Sequence, residues 1–165
     1  MSFHKELHKE VLEALVQQDY NMTKLDTVFI NIAKETSTLS HCARSKVGAV
    51  LVKDGNIISF GYNGTPSGMD NACEKDNVTL AHVIHAECNA ILKAAKTGNS
   101  VDGSTLYLTL SPCLDCSKLI LQSGIKRVVY LDRYRSPEGI DFLKQFIEVY
   151  PVSYTHLTLP TICSV

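Results

Sequence analysis

The sequence lacks a surplus of charge of one sign and has no long hydrophobic run. Sixteen Lys and Arg residues against seventeen Asp and Glu residues leave a formal net charge of −1, so no overall positive field attracts a nucleic-acid backbone or an anionic membrane. No stretch approaches the roughly 18 to 20 apolar residues of a membrane span. The first ten residues alternate charged and polar types where a signal peptide would be apolar. These absences disfavour polynucleotide and membrane partners and predict a cytoplasmic protein.

Glycine and proline are also scarce, at 9 and 5 residues, while 45% of the 165 residues are hydrophobic. This composition excludes collagen-like, coiled-coil and disordered chains, and the length is that of one ordinary domain. Six cysteines are present. In a reducing cytoplasm we expect them to be core residues, metal ligands or catalytic groups, and not disulfides.

The end of the chain does not fit the rest. Residues 152–161 match, codon by codon, one reading frame of a common sequencing-library adapter. The alternative is a terminal strand, because Val, Tyr, Thr and Leu favour extended structure. We expect residues 152–165 to be a non-native tail, which removes His156 and Cys163 from the functional argument. Residues 22–151 then form the folded domain, preceded by a helical extension at residues 1–21.

Hydrophobic periodicity predicts the elements of the chain. The predicted helices are residues 7–16, 25–33, 86–96, 113–123 and 138–146. The predicted strands are residues 47–53, 57–62, 105–110, 127–131 and 147–150. Asp54 and Gly55 join the first two strands as a hairpin, and residues 63–80 form a turn-rich segment. Alternating strands and helices after a hairpin predict an α/β domain of layers around a mixed sheet.

Cys113 and Cys116 stand three residues apart at the start of a predicted helix. Ser111 is the expected N-cap and Pro112 the expected first helical residue, so both thiols lie on one face of the first turn. The positive end of the helix dipole lowers a thiol pKa and favours the thiolate that zinc binds. Alone, the pair is also compatible with a redox couple or with half of a four-ligand structural zinc site.

His85 and Glu87 open the preceding predicted helix. An imidazole added to two thiolates makes three protein ligands, which leave the fourth tetrahedral position for water, as in catalytic zinc sites. Glu87 cannot share the direction of His85, so we expect its carboxylate beside that water, moving a proton. A non-catalytic zinc-stabilised interaction module would have no use for Glu87. His-x-Glu and Pro-Cys-x-x-Cys on successive helices are the signature of zinc nucleobase deaminases.

With these motifs the chain resembles the deoxycytidylate (dCMP) deaminase family of the cytidine deaminase-like fold, from about residue 25 to 150. The resemblance includes the segments SKVGA at 45–49, GYNGTP at 61–66 and QSGIK at 122–126. It implies a three-layer α/β/α fold with a five-stranded mixed sheet of order 2-1-3-4-5, the fifth strand parallel to the fourth. It also implies a homo-oligomer, a hexamer or a dimer. The implied reaction is zinc-dependent hydrolysis of dCMP to dUMP and ammonia, which supplies dUMP for thymidylate synthesis.

The resemblance assigns roles to single residues. It makes His85, Cys113 and Cys116 the ligands of a catalytic Zn²⁺ and Glu87 the proton shuttle. In the same way, the Ala86 N–H would bind the base carbonyl, the Ser111 carbonyl would accept from the amine, and Asn63 would bind the sugar hydroxyl. The alternative for Asn63, beside Gly64, is an ordinary turn residue. Candidates for the substrate phosphate or an effector triphosphate are Arg44, Lys46, Arg133, Tyr134 and Arg135.

Further ligands also follow from the resemblance. Some family members hold a second, structural Zn²⁺, for which Cys42, Cys73 and His82 are the candidate ligands here, with His41 as a fourth. Otherwise Cys42 and Cys73 are small buried residues, and Cys88 is expected in the core. The family is often activated by dCTP and inhibited by dTTP, and a triphosphate effector would bring Mg²⁺.

Two related activities compete with this interpretation. A tRNA adenosine deaminase shares the zinc motif, but its binding surface needs basic residues. A free cytidine deaminase typically carries Cys at the position of His85. The balanced charge and the Gly-Tyr-Asn-Gly segment favour a mononucleotide substrate.

Overall fold

A five-stranded mixed sheet runs through the described part of the chain, residues 22–152 of a computed structural model. The expected extension at residues 1–21 and the tail from residue 153 lie outside the described residues. The strands are β1 (Gly48–Lys53), β2 (Asn56–Tyr62), β3 (Glu74–Lys75), β4 (Val78–Thr79), β5 (Thr105–Leu110), β6 (Arg127–Asp132) and β7 (Glu148–Pro151). The helices are α1 (Lys24–Ser37), α2 (Ala86–Lys96), α3 (Leu114–Gln122) and α4 (Glu138–Leu143).

The strand order of the large sheet is β2-β1-β5-β6-β7, while β3 and β4 form a separate hairpin. Strand β1 is antiparallel to β2 and β5, and β5, β6 and β7 are parallel. The predicted order 2-1-3-4-5, with its last two strands parallel, is therefore confirmed. Asp54 and Gly55, at φ values of 50° and 75°, form the predicted turn between β1 and β2, since positive φ at both central residues matches the twist of a tight hairpin.

Helices cover both faces of the sheet. Leu106 and Leu108 of β5 belong to the main core with residues of α2, α3 and α4. Tyr107, between them, points to the other face, where its ring centroid lies 5.2 Å from that of Phe29 on α1. Because successive strand residues face opposite sides, this alternation confirms the three-layer arrangement.

A buried charged group links α1 to the sheet. Asp26 is 1% exposed, and its Oδ1 accepts hydrogen bonds from the Tyr107 hydroxyl at 2.6 Å and the Arg127 guanidinium at 2.9 Å. A buried carboxylate is tolerated only where such donors replace water. The contact therefore fixes α1 against β5 and β6.

The structure differs from the predicted elements in several places. The β3–β4 hairpin arises in the segment expected to be only turns, because strands of two residues show no usable periodicity. Helix α4 ends at Leu143 and not at residue 146, since i to i−3 bonds of Gln145 and Phe146 tighten the chain into turns. Val152, expected to begin the tail, is buried, and its N–H donates to the Tyr130 carbonyl at 2.8 Å.

Cys42 and Cys73 form a disulfide, with their Cα atoms 5.2 Å apart. The expectation that the cysteines are reduced was wrong for this pair, and the second zinc site assigned to Cys42, Cys73 and His82 stays a prediction. The proximity of Cys42 and Cys73 arises from chain folding across a separation of 31 residues, which local spacing does not reveal. Among the helices of residues 22–152, none has the length and apolarity needed to cross a membrane.

Candidate active site

A cavity of about 490 Å³ opens where the parallel strands β5 and β6 end. Its wall includes His85, Ala86, Glu87, Ser111 and Cys113. The carboxyl ends of parallel strands are the usual place for ligand sites in α/β sheets, because the following loops and helix N-termini converge there. The fold thus brings both predicted motifs to one cavity.

His85 is the N-cap of α2, with extended backbone at φ −71° and ψ 154°, and its side chain makes no capping hydrogen bond. The preceding residue, Ile84, exchanges two backbone hydrogen bonds with Gly64, at 2.9 and 3.1 Å. This bridge holds the entry to α2 against the segment that follows β2. The imidazole is consequently placed at the cavity and left available for another partner.

Cys113, and not Ser111, is the N-cap of α3. The backbone of Cys113 is extended, at φ −72° and ψ 169°, so the predicted cap was wrong by two residues. The Ser111 hydroxyl instead accepts the Tyr134 N–H at 2.7 Å, and the Ser111 N–H donates to the Asp132 carbonyl at 2.8 Å. Ser111 therefore joins the loops after β5 and β6, and Cys116 lies in the first turn of α3 as predicted.

The side chains of His85, Cys113 and Cys116 meet at one point. His85 Nδ1 lies 3.3 Å from Cys116 Sγ and 3.7 Å from Cys113 Sγ, and the three atoms all lie within 4.8 Å of one another. Zn–S and Zn–N bonds of about 2.3 and about 2.0 Å at a tetrahedral angle separate sulfur from nitrogen by about 3.5 Å. The spacing and the donor set both fit zinc.

Hydrogen bonds among His85, Cys113 and Cys116 shift the pKa values of all three side chains. Contacts from Cys116 and His85 lower the pKa of the Cys113 thiol to about 4, and the contact with Cys113 raises the pKa of His85 to about 9, although burial acts against it. Hydrogen bonds to Cys113 and Cys88, together with burial, raise the pKa of Cys116. These shifts favour a Cys113 thiolate beside a His85 imidazolium, and a metal bound here would displace the protons of His85 and Cys116.

Glu87 lies in the first turn of α2 and is 4% exposed. Burial raises the pKa of its carboxyl, and hydrogen bonds from its own backbone and from Cys116 act in the opposite direction. The side chain lies on the cavity wall next to the trio. Glu87 therefore lies beside the three candidate metal ligands, and its role in proton transfer stays a prediction.

Cys88 is a member of this site that the sequence interpretation missed. It was expected in the core, but it is only half-buried, and its Sγ lies 3.5 Å from Cys116 Sγ. The available signal was helical spacing, because Cys88 follows His85 by three residues and so faces the same side of α2.

Asn63 lies on the cavity wall and also supports it. Its Oδ1 accepts the Val47 N–H at 2.8 Å, and its Nδ2 donates to the Ser45 carbonyl at 2.8 Å. An amide oxygen accepts two hydrogen bonds and an amide nitrogen donates two. Asn63 Oδ1 can therefore accept one more hydrogen bond and Nδ2 can donate one more. The two existing bonds fix the segment that leads into β1.

Most of the predicted phosphate-binding residues reach the cavity. Arg44, Arg133, Tyr134 and Arg135 lie on its wall, whereas Lys46 is exposed and does not. Arg44 also donates to Thr79 Oγ1 at 3.1 Å, so the β3–β4 hairpin is part of the same wall. His41 and His82 are exposed. Among the described residues, neither belongs to a group of three or more side chains spaced to hold a metal ion.

Residues 23–132, which are more than half of the chain, match the family model described as the cytidine and deoxycytidylate deaminase zinc-binding region. The chain belongs to this family. Deoxycytidylate deaminases of Enterobacteria phages T4 and T2 are 38% and 39% identical to it, over 81% and 78% of this chain and 92% of each phage protein. The crystal structure of dCMP deaminase from cyanophage S-TIM5 in complex with dCMP and dUMP aligns with a TM-score of 0.76. It is 46% identical and covers 78% of this chain and 97% of its own.

Membership in this deaminase family confirms the resemblance drawn from the two zinc motifs. The five-stranded sheet and its order agree with the cytidine deaminase-like fold of the aligned structure. The His85, Cys113 and Cys116 trio lies within the matched zinc-binding region. The site is therefore that of a zinc-binding deaminase domain.

Proposed function

We propose that this chain catalyses the hydrolytic deamination of dCMP to dUMP and ammonia. The observation that carries the proposal is the buried Glu87 carboxyl on the cavity wall beside three zinc-binding side chains. A cavity of about 490 Å³ has the size of a small-molecule site. Relatives at 38% and 46% identity are deoxycytidylate deaminases, which supports this substrate.

His85, Cys113 and Cys116 would hold Zn²⁺. Zinc supplies Lewis-acid activation of a water, lowering its pKa toward about 7. Glu87 takes a proton from that water and delivers it to N3 of the cytosine, which makes C4 electrophilic. The water oxygen bonds to C4. Glu87 then carries the remaining proton of that water to the exocyclic nitrogen, and the C4–N bond breaks to release ammonia. The N3 proton and the new carbonyl oxygen remain in dUMP.

Backbone groups around the cavity orient the base in this proposal. The Ala86 N–H, at the first position of α2, is one of the donors a helix leaves unsatisfied, and it donates to the base carbonyl. The Ser111 carbonyl accepts from the exocyclic amine. Asn63 binds the sugar hydroxyl with its remaining capacity, and the phosphate lies toward Tyr134 and the arginines of the wall.

The same proposal includes the domain bounds, the location, the assembly and the effectors of the enzyme. Residues 22–151 act as the deaminase domain, in the cytoplasm, as a homo-oligomer. dCTP with Mg²⁺ and dTTP are the candidate effectors. Light scattering of the purified protein, and initial rates with each triphosphate added, test them directly.

Ammonia release measured side by side on dCMP, dCTP, cytidine and a tRNA anticodon stem-loop tests the reaction. We expect dCMP to give the highest kcat/KM, with one zinc per chain by elemental analysis. Preference for the stem-loop would establish a tRNA adenosine deaminase, and preference for cytidine a nucleoside deaminase. Zinc without turnover of any substrate would indicate a non-catalytic module, and activity retained in a chelator without zinc would overturn the mechanism.

A further inference from the structure

A third thiol, that of Cys88, lies next to the three proposed zinc ligands. Cys88 Sγ lies 3.5 Å from Cys116 Sγ, within hydrogen-bond distance for sulfur. The two residues come from different helices, α2 and α3. Cys116 is 5% exposed, so water has little access to its sulfur.

The direction of this hydrogen bond follows from metal chemistry. Cysteine binds zinc as a thiolate, so a zinc-bound Cys116 has no proton to donate. Its contact with Cys88 then survives only if Cys88 is the donor, because a thiol has one S–H. Groups that hydrogen-bond to metal ligands orient those ligands and change their donor strength.

From this geometry we infer that Cys88 is a positioning residue of the zinc centre, donating its S–H to the Cys116 thiolate and strengthening zinc binding. The inference rests on the proposed assignment of Cys116 as a zinc ligand. Cys88 touches neither substrate nor metal in this role. It fixes the direction of Cys116 Sγ from the helix that also carries His85 and Glu87.

Three variants separate hydrogen bonding from packing. Cys88→Ser keeps a donor of similar size, Cys88→Val fills the volume without a donor, and Cys88→Ala removes both volume and donor. Zinc affinity is measured by competition with a chelating dye under reductant, and the fold is checked by thermal unfolding in excess zinc. Loss of a group hydrogen-bonded to a metal ligand typically weakens metal binding about 10- to 100-fold.

We expect the Ala and Val variants both to lose at least about tenfold in zinc affinity, and the Ser variant to retain it. In cobalt-substituted protein, the thiolate-to-metal charge-transfer band should shift in the Ala and Val variants and not in the Ser variant. Equal affinities in all four proteins, a loss confined to Ala, or a loss in Ser as large as in Ala would each overturn the inference. Wild-type protein that binds no zinc would instead refute the proposed function.

Discussion

Asn89 donates a hydrogen bond from its side-chain amide to the Tyr62 carbonyl at 2.9 Å. Asn89 lies one turn after His85 on α2, and Tyr62 ends β2 directly before Asn63. The bond therefore fixes the helix that carries His85 and Glu87 against the strand that leads to Asn63. Together with the backbone bridge between Gly64 and Ile84, it keeps the residues proposed to bind metal, transfer protons and bind the sugar at fixed positions relative to one another.

Replacing Glu87 with Gln removes the proposed proton carrier and preserves its shape. We expect turnover of dCMP to fall by about 10² to 10⁴, the usual contribution of positioned acid–base catalysis, with zinc content unchanged. Glu35→Gln, at an exposed position of α1, is the control. A Glu87→Gln variant with more than about a tenth of the wild-type rate would contradict the assigned role.

Arg133 and Arg135 place positive charge on the cavity wall. We expect the double substitution by Ala to lower kcat/KM for dCMP about 10- to 100-fold, the cost of losing a charge-assisted hydrogen bond. Turnover of deoxycytidine, which has no phosphate, should not change. Lys144→Ala removes an exposed charge at a residue outside the cavity lining and serves as the matched control. Equal losses for both substrates would show that the arginines do not recognise phosphate.

Gly139 allows α4 to approach the Cys113 loop closely. A Cβ at this position would lie 2.7 Å from Ser117 Oγ and 2.8 Å from the Cys113 carbonyl carbon. We expect Gly139→Ala to cost about 1–3 kcal/mol in unfolding free energy, as overpacking usually does, and to reduce zinc content. Gly64→Ala is the control, since its Cβ meets nothing within 4 Å. Urea unfolding and metal analysis measure the two effects, and unchanged stability of Gly139→Ala would disprove the close approach.

Asp26 accepts hydrogen bonds from both Tyr107 and Arg127 in a buried setting. Asp26→Ala removes the charge that compensates Arg127, and we expect a loss of about 3 kcal/mol in unfolding free energy. Tyr107→Phe removes one hydrogen bond and should cost about 1 kcal/mol. The exposed Asp115–Lys118 pair offers a comparison in which Lys118→Ala should leave the urea midpoint unchanged. Similar midpoints for all three variants would mean that burial adds nothing at Asp26.

Truncation after Val152 tests the expected tail. We expect fold, zinc content and activity to persist without residues 153–165. Truncation after Pro151 should be less stable, because it also removes the buried Val152 and its bond to Tyr130. A fall of several degrees in Tm for the longer truncation product, corresponding to about 1 kcal/mol, would show that residues 153–165 complete the core.

Local sequence predicted the features that depend on local geometry. The spacing of Cys113 and Cys116 placed both thiols at one helix start, and the Asp54-Gly55 turn was evident because few residue pairs accept positive φ. The N-cap of α3 was misplaced, because Ser111 is equally suited to the long-range bond that it makes with Tyr134. Helix boundaries of this kind depend on which hydrogen-bond partner is available.

Features that depend on distant segments could not be predicted. The Cys42–Cys73 disulfide and the 3.5 Å contact between Cys88 and Cys116 join separate elements. Their formation depends on how α2, α3 and the β3–β4 hairpin pack. A single sequence specifies each element's apolar face but not which cysteine meets which across an interface.

The arginines of the wall belong to loops, whereas the zinc-binding trio belongs to the starts of α2 and α3, which are braced by the sheet. In the proposed function, phosphate recognition and the deaminating centre are consequently encoded in different segments of the gene, whereas recognition of the base stays with Ala86 and Ser111 beside the helix starts. We expect mutations in residues 133–135 or in the β3–β4 hairpin to change phosphate recognition while the helix starts remain intact. An evolving lineage or an engineer could then change how the phosphate is bound by editing short surface segments and keep the same deaminating centre.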